Sequence, residues 1–133
     1  MRYLLDTDTC VWLIRKREPV TSRIQAESPD DLALASMTEA ELRYGALKSA
    51  DPERQGRMIE SLVALVADVL PFDRAAAGVH ADLRWALRAQ RISDRDLVIA
   101  SVAVSRGLTL VTSNRREFDR VPGLSVEDWM QTG

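Results

Sequence analysis

Apolar positions along this chain follow two rhythms. Short, nearly unbroken apolar runs at 2–6 (RYLLD), 31–36 (DLALAS) and 108–113 (LTLVTS) end in polar residues and are too short for helices, so they predict buried strands. VLPF at 69–72 is a weaker candidate because of Pro71, and LSVEDW at 124–129 makes a last strand behind the turn VPG. Between these runs the apolar spacing is helical. Residues 9–17 place Cys10, Leu13 and Ile14 on one face, and Pro19 parts that helix from a second near 20–28. Leu42 and Ala46 mark a helix over 38–49. Pro52 opens a longer one in which apolar pairs recur at 58/59, 62/63, 65/66 and 69/70, a spacing near 3.5 that asks for a packed helical partner in the core or across a dimer. Residues 73–90 put Ala76, Val79, Leu83 and Leu87 on one side. The stretch 96–107 is apolar nearly all round and stops at Gly107, as a fully buried helix does. Strands alternating with helices predict an α/β fold, a parallel sheet of four to five strands covered on both faces, whose ligands gather at the carboxyl ends of the strands.

Composition narrows this picture without naming a chemistry. A chain of 133 residues with 46% hydrophobic side chains makes one domain, 1–133, with a core that needs no disulfide or structural metal. The lone Cys10 forms no internal bridge, and no leader or long apolar span is present, which predicts a soluble cytoplasmic protein. The formal net charge of −2 lacks the basic field of a nonspecific nucleic-acid binder. Yet 16 of the 18 basic residues are arginines, the better bidentate partner for phosphate, although a GC-rich genome would leave the same bias.

The strand-end rule turns a scatter of acids into a geometry. Asp6 follows the first strand, Glu41 lies in the first turn of the helix after the second, Asp96 opens the buried helix, and Asn114 and Glu117 follow LTLVTS. Each has an innocent reading. TEAE at 38–41 is a capping box, SDRD at 93–96 a looser one, and Asp8 is placed to cap the first helix. Together they are harder to dismiss, because three carboxylates about 5 Å apart repel by about 3 kcal/mol per pair at an effective dielectric near 20, against roughly 1 kcal/mol from a cap. Such a cluster needs protons or a cation. Oxygen ligands without nearby thiol or imidazole suit Mg²⁺ or Mn²⁺, which support phosphoester hydrolysis with carboxylates alone. His80, the single histidine, excludes two-histidine cleavage of RNA, and Cys10 has no base partner to make it a nucleophile. No glycine-rich phosphate loop occurs.

LLDTD at the start, MTEAELRYG, ISDRDLVIASVAVSRG and LTLVTSNRREFDRVPGLSVEDW resemble, in order and spacing over nearly the whole chain, the PIN-domain ribonucleases, specifically the VapC-type toxins of bacterial toxin–antitoxin pairs. The resemblance implies a PIN-like three-layer fold and a Mg²⁺-dependent endoribonuclease whose metal is held by Asp6, Glu41 and Asp96, leaving a 5′-phosphate and a 3′-hydroxyl. Asp96 rather than Asp94 is implied because it directly precedes LVIAS. Asn114 falls where many PIN domains carry a fourth acid, with Glu117 three residues on as its substitute, and Asp8 stands where the family usually has Asn. The same likeness implies a cognate antitoxin that places a basic side chain among the acids, a homodimer, and transfer RNA as a candidate substrate. Arg91, Arg95, Arg115 and Arg116 are candidates to grip the RNA backbone, or are simply solvated.

Two other readings stay open. DTDT also fits the Asp-x-Asp-x-Thr motif of haloacid-dehalogenase-like phosphatases, with Asp6 as nucleophile and Asp8 as acid, but that fold wants a late lysine, whereas the only lysines are Lys16 and Lys48. A non-catalytic binding domain would keep the acids as caps and dock a partner through its helices.

Overall fold

The computed structural model describes residues 1–131. β1 (Tyr3–Leu5), β2 (Leu32–Ala35), β3 (Asp68–Leu70), β4 (Thr109–Val111) and β5 (Ser125–Glu127) form a single five-stranded sheet in the order β3-β2-β1-β4-β5, every neighbouring pair parallel. The alternation of side chains along each strand divides the core in two. Leu4, Ala33, Ala35 and Leu110 face one apolar cluster, while Tyr3, Leu5, Leu32, Leu34 and Val111 face the other. Both faces are covered, so the inner strands β1 and β2 read as unbroken apolar runs rather than alternating ones, while the edge strands β3 and β5 carry polar residues.

α1 (Thr7–Ile14), α2 (Val20–Ala26), α3 (Ser36–Leu47) and α4 (Pro52–Leu65) connect β1 to β2 and β2 to β3 and supply the second cluster through Cys10, Val20, Ile24, Leu42, Ala46, Ile59 and Leu62. α5 (Arg74–Ala86) and α6 (Asp94–Arg106) carry the chain across to β4 and supply the first through Ala76, Leu83, Leu97, Ile99, Ala100, Val102 and Ala103. α7 (Arg115–Phe118) is one turn that buries Phe118. The chain therefore winds outward from β1 in one direction and returns on its other side at β4. The carboxyl ends of β1 and β4 flank that switch point, where an open α/β sheet leaves its crevice. Among the described residues, no helix is long and apolar enough to cross a membrane.

Several predicted bounds shift for one physical reason: strands here pass into helices without a loop. α1 starts at Thr7 with Asp6 as its N-cap residue, and α3 starts at Ser36 with Ala35 in that role. The apolar pair at 69/70 belongs to β3, because α4 ends at Leu65 and Asp68 can pair ahead of Pro71. Within α4 the stripe is used for the core: Ile59 and Leu62 are buried while Leu65 is exposed.

A candidate acidic active site at the carboxyl rim

Asp6 is the last residue before the chain turns from β1 into α1, and it is 5% exposed. Its backbone N–H donates to Val111 O of the neighbouring strand at 2.9 Å, which fixes the Cα. Its carboxylate does not cap α1 and instead accepts from Thr112 Oγ1 at 2.8 Å. Thr112 is itself held by Asn114 N–H at 3.0 Å, so the residue after β4 aims the acid after β1. Burial, with Asp8 and Asp96 adding repulsion, raises the Asp6 carboxyl from 3.8 to about 7, although the Thr112 hydrogen bond opposes the rise.

Asp8 is turned away from a cap as well. Its Oδ1 accepts from Thr9 N–H at 2.7 Å and its Oδ2 from Ser113 N–H at 3.1 Å, so it ties α1 to the loop after β4. Burial raises the Asp8 carboxyl above its ordinary value, and these donors only partly oppose the rise. Ser113 Oγ in turn donates to Asp128 just past β5, so this loop is pinned from both sides.

The sequence alone predicts Glu41 in a first turn within a capping box. Because α3 begins at Ser36, Thr38 is instead a buried residue of its first turn and Glu41 falls in the second. Its carboxylate reaches back across the rim: Oε1 accepts from Thr7 Oγ1 at 3.0 Å and Oε2 pairs with Arg95 Nη1 at 3.0 Å. Thr7 adjoins Asp6 and Arg95 adjoins Asp96, so Glu41 contacts the chain neighbours of both other predicted acids.

At α6 half of the capping box is real. Ser93 Oγ accepts from Asp96 N–H at 3.1 Å, but the returning bond comes from elsewhere: Ser93 N–H donates to Glu117 Oε1 at 3.1 Å. Glu117 thus relieves Asp96 of that duty. Its Oε2 accepts from Asn114 Nδ2 at 3.3 Å, so Asn114 and Glu117 act on each other and on the start of α6. Burial and the nearby Glu117 and Glu41 push the Asp96 carboxyl upward. Of the predicted arginines, Arg95 is taken by Glu41 and Arg115 by Asp119, while Arg91 and Arg116 are exposed. Thr7 and Thr112 are the positioning side chains that sequence reasoning missed. A hydroxyl residue directly beside or opposite a strand-end acid was the signal available for both. Cys10 is buried and its thiol is pushed well up by burial, in keeping with a core role.

The donors on this rim are all hard oxygens, the chemistry that Mg²⁺ and Mn²⁺ accept. Among the described residues no three side chains already stand as ligands around one point. Arg95 pairs with Glu41 and places a positive charge beside these carboxylates. The residues fit a divalent ion by type, with Glu41 released from Arg95.

Comparison with known proteins settles what this architecture is. The profile of the PIN domain matches residues 3–124. The chain belongs to the PIN-domain family. Within it, this PIN domain is 37% identical over 132 residues to the tRNA(fMet)-specific endonuclease VapC of Salmonella typhimurium and 41% identical to that of Shigella flexneri, covering 97% of this chain and 98% of each relative. Its fold superimposes on the DNA-bound VapBC of Salmonella typhimurium with a TM-score of 0.90 at 36% identity, covering 97% of this chain and 98% of that one. For VapBC2 of Rickettsia felis, bound to a DNA fragment from its promoter, the TM-score is 0.89 at 30% identity, with 97% and 99% covered.

Proposed function

We propose that this PIN domain is a metal-dependent endoribonuclease, the toxin of a type II toxin–antitoxin pair, acting on RNA at the rim shared by Asp6, Glu41 and Asp96. A nuclease is the reading that relatives named as VapC ribonucleases support, and transfer RNA is the substrate class that two of those names carry. One observation carries the assignment: Glu41 of α3 accepts from Thr7, the residue after Asp6, and pairs with Arg95, the residue before Asp96.

Asp6, Glu41 and Asp96 are the residues that would hold Mg²⁺ or Mn²⁺. Bound there, the ion supplies acidity to water and positive charge against the scissile phosphate. The remaining work is the chain's own. Thr112 keeps Asp6 in one rotamer, Thr7 does the same for Glu41, and Ser93 with Glu117 fixes the first turn of α6 so that Asp96 is free of capping. Asp6 sits deep enough to be protonated near neutrality until a cation reaches it.

An antitoxin that delivers a basic side chain among these acids would use the same electrostatics that Arg95 already uses on Glu41. A homodimer pairing two such rims completes the proposal. Sequencing of 5′-phosphate ends in cells expressing the chain, beside an Asp96→Asn control, is the test. Discrete RNA ends that vanish in the control are expected, and identical ends in both would end the nuclease reading.

A further inference from the structure

A groove of about 810 Å³ between α1, α3 and α4 leads away from Thr7 and Glu41 and is lined further along by Arg15, Lys16, Arg17 and Arg54. These four side chains are exposed and, among the described residues, form no ion pair, while Val11, Ile14, Leu42, Met58 and Ile59 make the rest of the wall apolar. Cations at a helix C-terminus are ordinarily explained by the macrodipole. Here the backbone adds an independent mark. Lys16 adopts φ +56°, the left-handed conformation, at the closure of α1 where Lys16 N–H donates to Leu13 O and Arg17 N–H to Trp12 O.

α6 closes in the same way, with Leu108 N–H donating to Ala103 O, and there the left-handed residue is Gly107. Glycine takes that conformation without steric cost and lysine does not, so the α1 closure holds a cation at a position glycine would fill more easily. The opposite wall is open. Gly45 sits inside α3 with nothing within 4 Å of where a Cβ would stand, although glycine weakens a helix interior.

We propose that this groove is the path by which the phosphate backbone of the RNA reaches the acids, gripped by Arg15, Lys16 and Arg17 from the end of α1 and by Arg54 from α4. The proposal deepens the ribonuclease reading and rests on it. Charge complementarity selects the occupant: unpaired guanidinium and ammonium groups converge along a channel that ends at the carboxylates where a phosphodiester would be cut. An acidic peptide would satisfy the same cations and is the competing outcome.

The test measures binding of a labelled transfer RNA in chelator, so that no cleavage intervenes, as a function of salt. The triple variant Arg15→Ala, Lys16→Gly, Arg17→Ala should weaken binding by about tenfold or more and reduce the slope of log Kd against log salt by about 2, near 0.7 for each single-strand phosphate that is no longer neutralised. Lys16→Gly alone should raise Tm by about 3 °C while weakening RNA binding severalfold, a pairing that a purely structural role cannot produce. Arg54→Ala, on a different helix, should weaken RNA binding in the same direction. An unchanged salt slope in the triple variant overturns the proposal. So does loss of binding to a synthetic acidic amphipathic peptide with RNA affinity intact. The two readings fail separately: wild-type cleavage by Asp96→Asn sinks the nuclease assignment, whereas the groove is judged on binding alone.

Discussion

α3 and α6 begin with sequences of one kind, TEAE and SDRD, yet only one of them is capped. At α6 a real loop precedes the helix, Ser93 takes the N-cap position with extended backbone, and its hydroxyl accepts from Asp96 N–H. At α3 the strand runs straight into the helix, Ala35 occupies that position, and no side chain caps it. A capping motif is thus meaningful only where the chain enters the helix at the motif's first residue. Where β2 feeds α3 three residues earlier, with Ala35 rather than Thr38 at the N-cap, the same letters deliver a buried threonine and an acid that reaches across the rim.

The largest effects should come from removing the acids themselves. Glu41→Gln and Asp96→Asn should each lower RNA cleavage on the order of 10³-fold, several kcal/mol of lost charge stabilisation, without lowering Tm by more than about 3 °C. A Glu41→Gln variant that cleaves at the wild-type rate would make α3's uncapped start a matter of structure alone. Asp6 adds a pH signature. Its folded carboxyl lies near 7 against 3.8, so between those values the folded state holds the extra proton and stability falls as pH rises. In chelator, Asp6→Asn should therefore be more stable than wild type at pH 8, by at most roughly 4 kcal/mol, and indistinguishable from it near pH 3. Thermal melts across that window check the sign, and equal pH profiles would refute it.

Much of this was legible beforehand. The five strands and the buried α6 with its terminal Gly107 follow from apolar rhythm, because a doubly covered parallel sheet imposes it. The choice of Asp6, Glu41 and Asp96 among the strand-end residues comes instead from the family resemblance. Other features were not legible. Helix starts at Thr7 and Ser36 depend on strands that end without loops, which no local propensity encodes. The partnership of Glu117 with Ser93 spans 24 residues, and Arg95 with Glu41 joins two helices, so both exist only once the fold has formed. The innocent reading of Asp8 as a cap fails because Ser113, brought close by β1–β4 pairing, offers it a better-placed N–H.

Smaller perturbations sharpen the contrast between the two helix starts. Ser93→Ala removes a working cap and should cost about 1 kcal/mol, while Ser36→Ala at the start of α3 should stay within about 0.5 kcal/mol, both read from denaturant midpoints. Equal losses would mean that α3 has a cap after all. Smallest of all, Arg95→Ala deletes an ion pair whose arginine is 66% exposed and should leave stability nearly unchanged. Freed of its partner, Glu41 should bind Mn²⁺ about threefold more tightly by calorimetry, in line with the few tenths of a kcal/mol of a surface pair. Weaker Mn²⁺ binding would assign Arg95 a supporting role instead.

β1 is the middle strand, hydrogen-bonded to neighbours on both sides, and the amide of Asp6 belongs to that ladder. Amides so placed exchange with solvent only when the whole domain opens, unlike those of the mobile loops that usually carry active residues. An acid anchored there keeps its place through every local opening of the helices around it.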